Sequence, residues 1–246
     1  MGDQKNTLLN ADVGARVTGQ DIYEISDKAR CALGTRLVLG DRVFRYCLNG
    51  ASTLAVGKIV QAPAINTYDE DIVVPTNNVV GTKTVYLTNH TSGAVVVADQ
   101  FKDGYLVVGT STGLGSTYKI KSNTAAATNA LLTLTLYDPT VTAITTGHTG
   151  CIVASPYFNT VLDAGTGMLV GVPLLAVTAA YYFWAQTWGP VGIVSAGTIV
   201  KGDDVLTNNN GTVIPDNAAT VNPRVGIAMN SYDSGDAGPI FLQLCP

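Results

Sequence analysis

Apolar and polar residues alternate along most of this chain, and clusters of Gly, Asn, Asp and Ser interrupt the alternation at short intervals. A period of two residues is typical of half-buried β-strands, whereas an amphipathic helix repeats every 3.6 residues. No long stretch keeps the helical period. The pattern therefore predicts an all-β protein made of many short strands that are joined by tight turns.

The alternating segments fall into three blocks. Residues 36–60 form the first block, with a turn signal at residues 39–41 and a second one at the dipeptide Asn49-Gly50. Asn-Gly between apolar runs is a strong hairpin signal, because both residues tolerate positive φ. The second block, residues 63–162, holds six short predicted strands separated by turn clusters. The third block runs from residue 163 to residue 246.

These blocks predict two small β-barrel or sandwich domains. We expect one domain to be discontinuous, formed by residues 31–62 and 163–246. The other, residues 63–162, is then inserted into it. The polar and poorly periodic residues 1–30 precede both domains.

Two apolar pairs interrupt the polar N-terminal segment, Leu8-Leu9 and Ile22-Tyr23. Residues 1–30 have two interpretations: an extended arm that lies on a neighbouring subunit, or a partly disordered terminus. In the first interpretation, these four residues are candidate contacts with a partner. The hypothesis predicts that deleting residues 2–20 abolishes binding to that partner and leaves the oligomer folded.

The longest apolar stretch lies between Met168 and Ala185. A membrane-spanning helix needs about 20 apolar residues and usually has basic flanks. Gly171 and Pro173 interrupt this stretch, and its second half is rich in β-branched and aromatic residues. The pattern predicts consecutive buried strands and no membrane span.

Aromatic residues are concentrated at the end of this stretch and just beyond it. Alternation places Tyr182 and Trp184 on one face of a strand and Phe183 on the other face. One face is expected to fill the core and the other to meet a partner, since aromatic residues are enriched at interfaces. Tyr182, Trp184 and the nearby Trp188 are therefore candidate interface residues. A platform that stacks sugars or bases is the alternative.

Charge and composition narrow the class of partner. The 246 residues carry a net charge of −4, and charged residues make up only 13% of the chain. No basic stripe is available to bind a phosphate backbone, so nucleic-acid binding is not expected. A chain with so little charge needs its apolar surface covered in a core or by other subunits, which favours assembly.

The four cysteines show no metal-site spacing. Cys31, Cys47, Cys151 and Cys245 form no C-x-x-C pair and have no histidines at zinc-ligand spacing. No apolar h-region follows the first residues, so no secretory signal is expected. We therefore expect free thiols in a protein made in a reducing cytoplasm.

Catalytic and ligand-binding patterns are weak. His90 and His148 lie in turn sequence, and no nucleophile-elbow motif is present. The Gly/Ser/Thr-rich residues 109–117 lack the lysine of a phosphate loop, so they predict a hairpin loop instead. The acidic clusters near residues 203 and 233 lack EF-hand spacing and are typical of turns. We therefore expect no enzymatic activity, no cofactor and no metal.

The C-terminal block has a recognisable order of strands and turns: strand, Gly-Asp turn, strand, Asn-Gly hairpin, a VGIA strand, an acidic turn and a closing strand. Its segments are GTIVKGDDV (197–205), NGTVIP (210–215), RVGIAM (224–229) and PIFLQL (239–244). This order resembles the small β-barrel of tailed-bacteriophage head decoration (cement) proteins. RVFRYCLNGASTLAVGKIVQ (42–61) resembles the strand pair that opens such domains, and YYFWAQTWGPVGIV (181–194) resembles a stretch of tailed-phage virion proteins.

The resemblance covers residues 36–62 and 165–246. It implies a homotrimer on the outer surface of an icosahedral head, at three-fold positions, that clamps neighbouring copies of the major capsid protein after expansion. It also implies a virion location after synthesis in the bacterial cytoplasm. The block 63–162 departs from a minimal decoration protein.

Two other functions compete with this one. The first is a tail-fibre or head-fibre adhesin that binds host glycans, although no repeat of 20–50 residues is evident in the sequence. The second is a β-rich hydrolase, for which no acid/base pair or nucleophile has a supporting context.

Overall fold

The computed structural model describes residues 19–64, 69–90, 92–110, 112–217 and 222–246. The predicted all-β class is confirmed, and no α-helix lies in these ranges. Their sixteen strands are β1 Arg36–Leu39, β2 Arg42–Leu48, β3 Val60–Gln61, β4 Ile72–Val73, β5 Thr84–Thr88, β6 Tyr105–Val108, β7 Thr117–Asn123, β8 Leu131–Leu136, β9 Thr149–Val153, β10 Val161–Leu162, β11 Leu169–Pro173, β12 Tyr182–Val194, β13 Asp204–Thr207, β14 Val213–Pro215, β15 Arg224–Ala228 and β16 Ala237–Gln243.

The chain divides into two compact units. Unit 1 contains Met1–Ala64 and Pro156–Pro246, and unit 2 contains Ile65–Ser155. Unit 2 is thus inserted in unit 1 along the chain. It ends earlier than the 63–162 block of the sequence, because β10 pairs with β3 of unit 1.

Unit 2 is an antiparallel sheet in the order β4-β9-β6-β7-β8-β5. The antiparallel strands β6 and β7 are consecutive along the chain and form a hairpin, as the sequence predicts for the loop between them. Alternate residues of the strands point inward, and turn-rich segments carry further apolar side chains into the same core. Fully buried side chains of this core include Ile72, Leu87, Phe101, Leu106 and Ile120.

Unit 1 is organised around the 13-residue strand β12. Its first half pairs with β2 and its second half pairs with β16. Trp188 lies at the change of partner, opposite both Val43 and Gln243. The hairpin of β1 and β2 turns at Gly40, whose φ of 63° fits the turn predicted there.

The dipeptide Asn49-Gly50 does not form the predicted hairpin. It follows β2, but β2 pairs with β1 and with the distant β12 and not with the segment after the dipeptide, and Gly50 does not take positive φ. Asn49 is buried, and its side chain serves a long-range junction instead.

Isolated residue pairs link turns that are far apart in the sequence. In each pair the two backbone amides and carbonyls exchange hydrogen bonds of 2.9–3.1 Å. We call each linked pair of turns a corner. The corners are Leu54–Val177 and Ile199–Tyr232 in unit 1, and Asn78–Ile144 and Val96–Ala126 in unit 2.

All eight corner turns share one backbone feature: the third residue after the bridged residue has positive φ. These residues are Gly57, Gly81, Asp99, Asn129, Gly147, Ala180, Gly202 and Gly235. Positive φ at the third position is the requirement of a type II turn. Gly, Asn and Asp tolerate it best, which explains much of the regular turn chemistry of the sequence.

Antiparallel strand pairs flank every corner on both sides. In unit 2, one corner separates the pair β4·β9 from β5·β8, and the other separates β5·β8 from β6·β7. Unit 2 is therefore one two-stranded ribbon that turns at two corners, and its ends join through β6·β9.

Unit 1 repeats this ribbon in a permuted order. Its corners separate β3·β11 from β2·β12, and β12·β16 from β13·β15. In unit 1, two strands, β16 and β2, pair with β12 between the two corners. In unit 2, the single strand β5 pairs with β8 at the equivalent place. The sequence shows no repeat of this kind, because the shared feature is a backbone turn and not a run of identical residues.

Candidate functional site

The aromatic strand β12 places Tyr182 and Trp184 on one face, as the alternation predicts. Tyr46 of β2 lies between them. Its ring stacks on Tyr182 with centroids 5.7 Å apart and meets the Trp184 ring edge-on at 5.0 Å. Offset stacking and edge-on contact are the favoured geometries of aromatic pairs, so this cluster is packed like a core.

The segment that follows residue 18 covers this aromatic face. The Trp184 indole N–H donates to the Gln20 carbonyl at 3.1 Å, and the Gln20 side-chain amide donates to the Tyr182 carbonyl at 3.0 Å. Ser26 and Tyr182 also exchange backbone hydrogen bonds of 2.7 and 3.0 Å. These hydrogen bonds hold residues 20–26 against β12 of unit 1.

Burial also fixes the protonation state of the central tyrosine. It raises the pKa of Tyr46 to about 12. The protonated hydroxyl donates to the Gln20 side-chain oxygen at 2.6 Å and accepts from the Arg30 amide at 3.1 Å. The cluster is a satisfied buried network and presents no reactive group.

The predicted contact residues need correction. Trp184 and Ile22 are in the core, at 0% and 5% exposure, so they do not form a surface for a partner. Residues 20–30 are not an arm on a neighbouring subunit, because the contacts of Gln20 and Ser26 hold this segment to unit 1. Leu8 and Leu9 lie outside the described residues.

The remaining predicted contacts keep some exposure. Tyr23 is the most open of them, at 63%. Tyr182 is half-buried under the covering segment. Trp188 is half-buried and meets the Phe241 ring edge-on, with centroids 5.7 Å apart. The sequence thus identifies the aromatic strand β12. The main role of this strand is the packing of unit 1.

A different surface, in unit 2, carries exposed aliphatic side chains. Val79, Val80, Leu114 and Val141 are 66%, 61%, 69% and 72% exposed, and we call them the valine patch. Soluble proteins normally place polar residues or glycine at such turn positions. A group of open aliphatic side chains of this kind is a candidate interaction surface.

Hydrogen bonds hold the members of the valine patch near one another. The Gly81 amide donates to the Thr140 carbonyl at 2.8 Å, and the Thr140 hydroxyl donates to the Val79 carbonyl at 2.9 Å. The Val141 amide donates to the Tyr118 hydroxyl at 3.1 Å. A side chain added at Gly113 would meet the Thr142 hydroxyl at 2.5 Å, so the hairpin tip that carries Leu114 lies against this segment.

The sequence contains a signal for this patch that periodicity does not reveal. Val79 and Val80 directly precede Gly81 in a corner turn, and both side chains are exposed. Val141 stands in the same way between two threonines of a turn. Apolar residues at turn positions, rather than within strands, are the sequence signal of this patch.

Several acidic residues of the described segments serve turns and surface pairs. The Asp203 carboxylate accepts from the Val200 amide at 2.9 Å, and Asp204 pairs with Arg224 at 2.6 Å. Within the described residues, no three His, Cys, Asp or Glu side chains form a group that could hold a metal ion. The part of the chain that the structure describes has no helix long and apolar enough to cross a membrane.

The four cysteines are free thiols. Cys47 is fully buried, and burial raises the pKa of its thiol far above the usual range. Burial also raises the pKa of Cys31 to about 11. A thiol with a raised pKa is a poor nucleophile at neutral pH, so neither cysteine suits catalysis.

No protein-family model, curated protein or solved structure matches this chain. No relative therefore supplies a function for it. The resemblance to head decoration proteins rests on the turn and strand pattern of residues 36–62 and 165–246 alone.

Proposed function

We propose that this chain is a structural virion protein, a capsid decoration (cement) protein on the outer surface of an icosahedral phage head. It acts as a homo-oligomer, a trimer by the family resemblance, and its partner is the major capsid protein. The observation that carries the proposal is the valine patch. The strand and turn order of the C-terminal block supports the same function.

The valine patch suits a binding role that needs no chemistry. Burial of apolar surface contributes about 25 cal/mol per Å² removed from water, so each small patch contributes modest affinity. A symmetric oligomer presents several copies of the patch to a symmetric lattice. Linked weak contacts of this kind add to strong retention.

The corners give this surface a fixed shape. The patch sits on the corner formed by Asn78 and Ile144, whose backbone groups exchange hydrogen bonds of 2.9 and 3.0 Å. The side-chain oxygen of Asn78 also accepts from the Tyr86 amide at 3.0 Å. A surface that is ordered before binding loses little conformational entropy when it binds.

Co-sedimentation with expanded, undecorated heads of the tailed phage that encodes the chain tests the proposal. The full-length chain should sediment with the heads, and V79S/V80S/V141S should bind at least about 10-fold more weakly, as the loss of about 1.4 kcal/mol implies. A matched control, V56S/V200S, removes exposed corner valines of unit 1 and should bind like the parent chain. Failure of the parent chain to bind overturns the function, and full binding by the triple variant overturns the role of the patch.

A further inference from the structure

A second exposed surface of unit 2 brings two tyrosines and a lysine together. Tyr105 of β6 lies directly opposite Lys119 of β7, and Tyr137 follows the end of β8. The Lys119 ammonium is 6.0 Å from the centroid of the Tyr105 ring and 6.0 Å from that of the Tyr137 ring. Both rings are open to solvent, at 40% and 38% exposure. We call these three residues the tyrosine–lysine cluster.

The position of Tyr137 is fixed from several sides. Its hydroxyl donates to the carboxylate of Asp103 at 2.9 Å, and Asp103 is only 4% exposed. Its amide donates to the Lys119 carbonyl at 3.0 Å, and the Lys83 ammonium donates to the Tyr137 carbonyl at 2.7 Å. The ring is therefore held in place before any ligand arrives.

The cluster combines the ammonium of Lys119 with one buried carboxylate, that of Asp103, which accepts from the Tyr137 hydroxyl. Within the described residues, Lys119 forms no ion pair, and its ammonium contacts the two rings instead. Lys121 lies two residues further along β7 on the same face and is exposed. The acidic residues 69–71 lie near Cys151 of β9, where their charges raise the pKa of the thiol. In the sheet, β6 lies between β9 and β7. The face is thus basic along β7.

We propose that the tyrosine–lysine cluster binds an acidic carbohydrate, a sugar that carries a carboxylate, as in uronic acids. The open faces of Tyr105 and Tyr137 would pack on the C–H face of the sugar, since the negative ring face attracts polarised C–H groups. Lys119 would pair with the carboxylate in a charge-assisted hydrogen bond.

The surroundings favour a carbohydrate over other anions. The neighbouring outward positions of the sheet include three threonines, Thr117, Thr133 and Thr135, which offer hydroxyl groups for sugar hydroxyls beside the apolar Val107 and Val153. A nucleic acid would need many more phosphate contacts than the few lysines of this face can supply. This binding goes beyond the decoration function and does not depend on it.

Calorimetric titration of the full chain with an oligogalacturonate tests the inference. The fully methyl-esterified form of the same oligosaccharide serves as the neutral probe, and poly-glutamate is the acidic peptide probe. We expect binding of the acid form, and at least about 10-fold weaker binding of both other probes. Equal binding of poly-glutamate would overturn the carbohydrate assignment, and no binding of the acid form would overturn the site.

Variants separate the cluster from general surface charge. K119M keeps most of the apolar stem and loses the ammonium, so it should weaken binding at least about 10-fold, as should Y105A. K102M removes an exposed lysine of a loop in the same unit and should bind like the parent chain. Y137F keeps the ring and loses the hydrogen bond to Asp103, so an intermediate loss is expected. Unchanged binding by K119M and Y105A would overturn the inference, whereas K119M should still sediment with phage heads.

Discussion

Asn49 and Asn89 hold the same position in the two units, each at the end of a strand that leads into a corner. The Asn49 side-chain amide donates to the carbonyls of Ser52, Val177 and Thr178 at 2.8, 3.2 and 3.0 Å. The Asn89 amide donates to the carbonyls of Ala94, Ala126 and Ala127 at 3.1, 3.4 and 3.0 Å. Each asparagine thus ties both turns of its corner to the strand before it.

These two asparagines should be essential for stability. Replacing either by aspartate removes the N–H donors and turns a buried acceptor toward the same carbonyl oxygens. We expect N49D and N89D each to lower the free energy of unfolding by about 2–4 kcal/mol, since buried groups left unpaired cost about 1–3 kcal/mol each. Urea unfolding followed by circular dichroism measures the loss.

Asn77 offers a matched control for this substitution. Its side-chain oxygen accepts from the amide and the hydroxyl of Thr146 at the surface, and aspartate keeps that acceptor. N77D should therefore change stability by less than about 0.5 kcal/mol. Equal effects of N77D and N89D would contradict the corner role of Asn89.

Much of the fold could be predicted because turn chemistry is local. The hairpins at Gly40 and at residues 208–212 follow from Gly and Asn at positions that need positive φ. The hairpin predicted at Asn49-Gly50 is wrong, because the dipeptide carries only the local signal of a hairpin. The side chain of Asn49 donates hydrogen bonds to Val177 and Thr178, and no short-range rule can identify these partners. Corners are long-range junctions, so only the structure shows them.

The candidate sites could be predicted less well. Alternation assigned Tyr182 and Trp184 to one face, but it could not show that Gln20 and the residues after it cover this face. Periodicity does not mark the exposed Val79 and Val141, because they lie in turns. The pairing of Tyr105 with Lys119 depends on strand register, and register is set by the whole sheet.

The side chain of Gln20 should hold the N-terminal segment against the aromatic face of β12. It accepts from the Tyr46 hydroxyl and donates to the Tyr182 carbonyl, and it is 1% exposed. Q20A should destabilise the protein by about 2–3 kcal/mol and shift tryptophan emission to the red, because water then reaches Trp184. Fluorescence reports on unit 1, since both tryptophans, Trp184 and Trp188, lie there.

The same contacts set where the chain can be shortened. Deleting residues 2–26 should reproduce and exceed the effect of Q20A. Y23A, at a site that is 63% exposed, is the neutral control. A deletion through residue 26 with unchanged emission would contradict the covering role of this segment.

Ala180 is the one corner residue with positive φ that is neither Gly, Asn nor Asp, with φ of 59°. Its side chain is exposed, so glycine would relieve backbone strain without loss of packing. A180G should raise the free energy of unfolding by about 0.5–1 kcal/mol. The reverse change, G202A, places a side chain in open space at φ of 92° and should lower it by about 1 kcal/mol. Thermal unfolding of both variants checks the pair, and effects of the same sign would refute the shared turn geometry.

Asp69 should make unit 2 more stable in acid. Burial raises the pKa of its carboxyl from 3.8 to about 6, so between these values the folded chain holds a proton that the unfolded chain releases. This contribution is complete below pH 3.8 and is lost as the pH rises through 6. D69N should therefore stabilise the protein at pH 7.5 by on the order of 1 kcal/mol, allowing for solvent screening of a half-exposed group, and should have little effect at pH 4. Urea unfolding at both pH values tests this, with the exposed Asp138 changed to Asn as control. Equal stabilisation by D69N at pH 4 and pH 7.5 would show that the effect does not come from titration of this carboxyl.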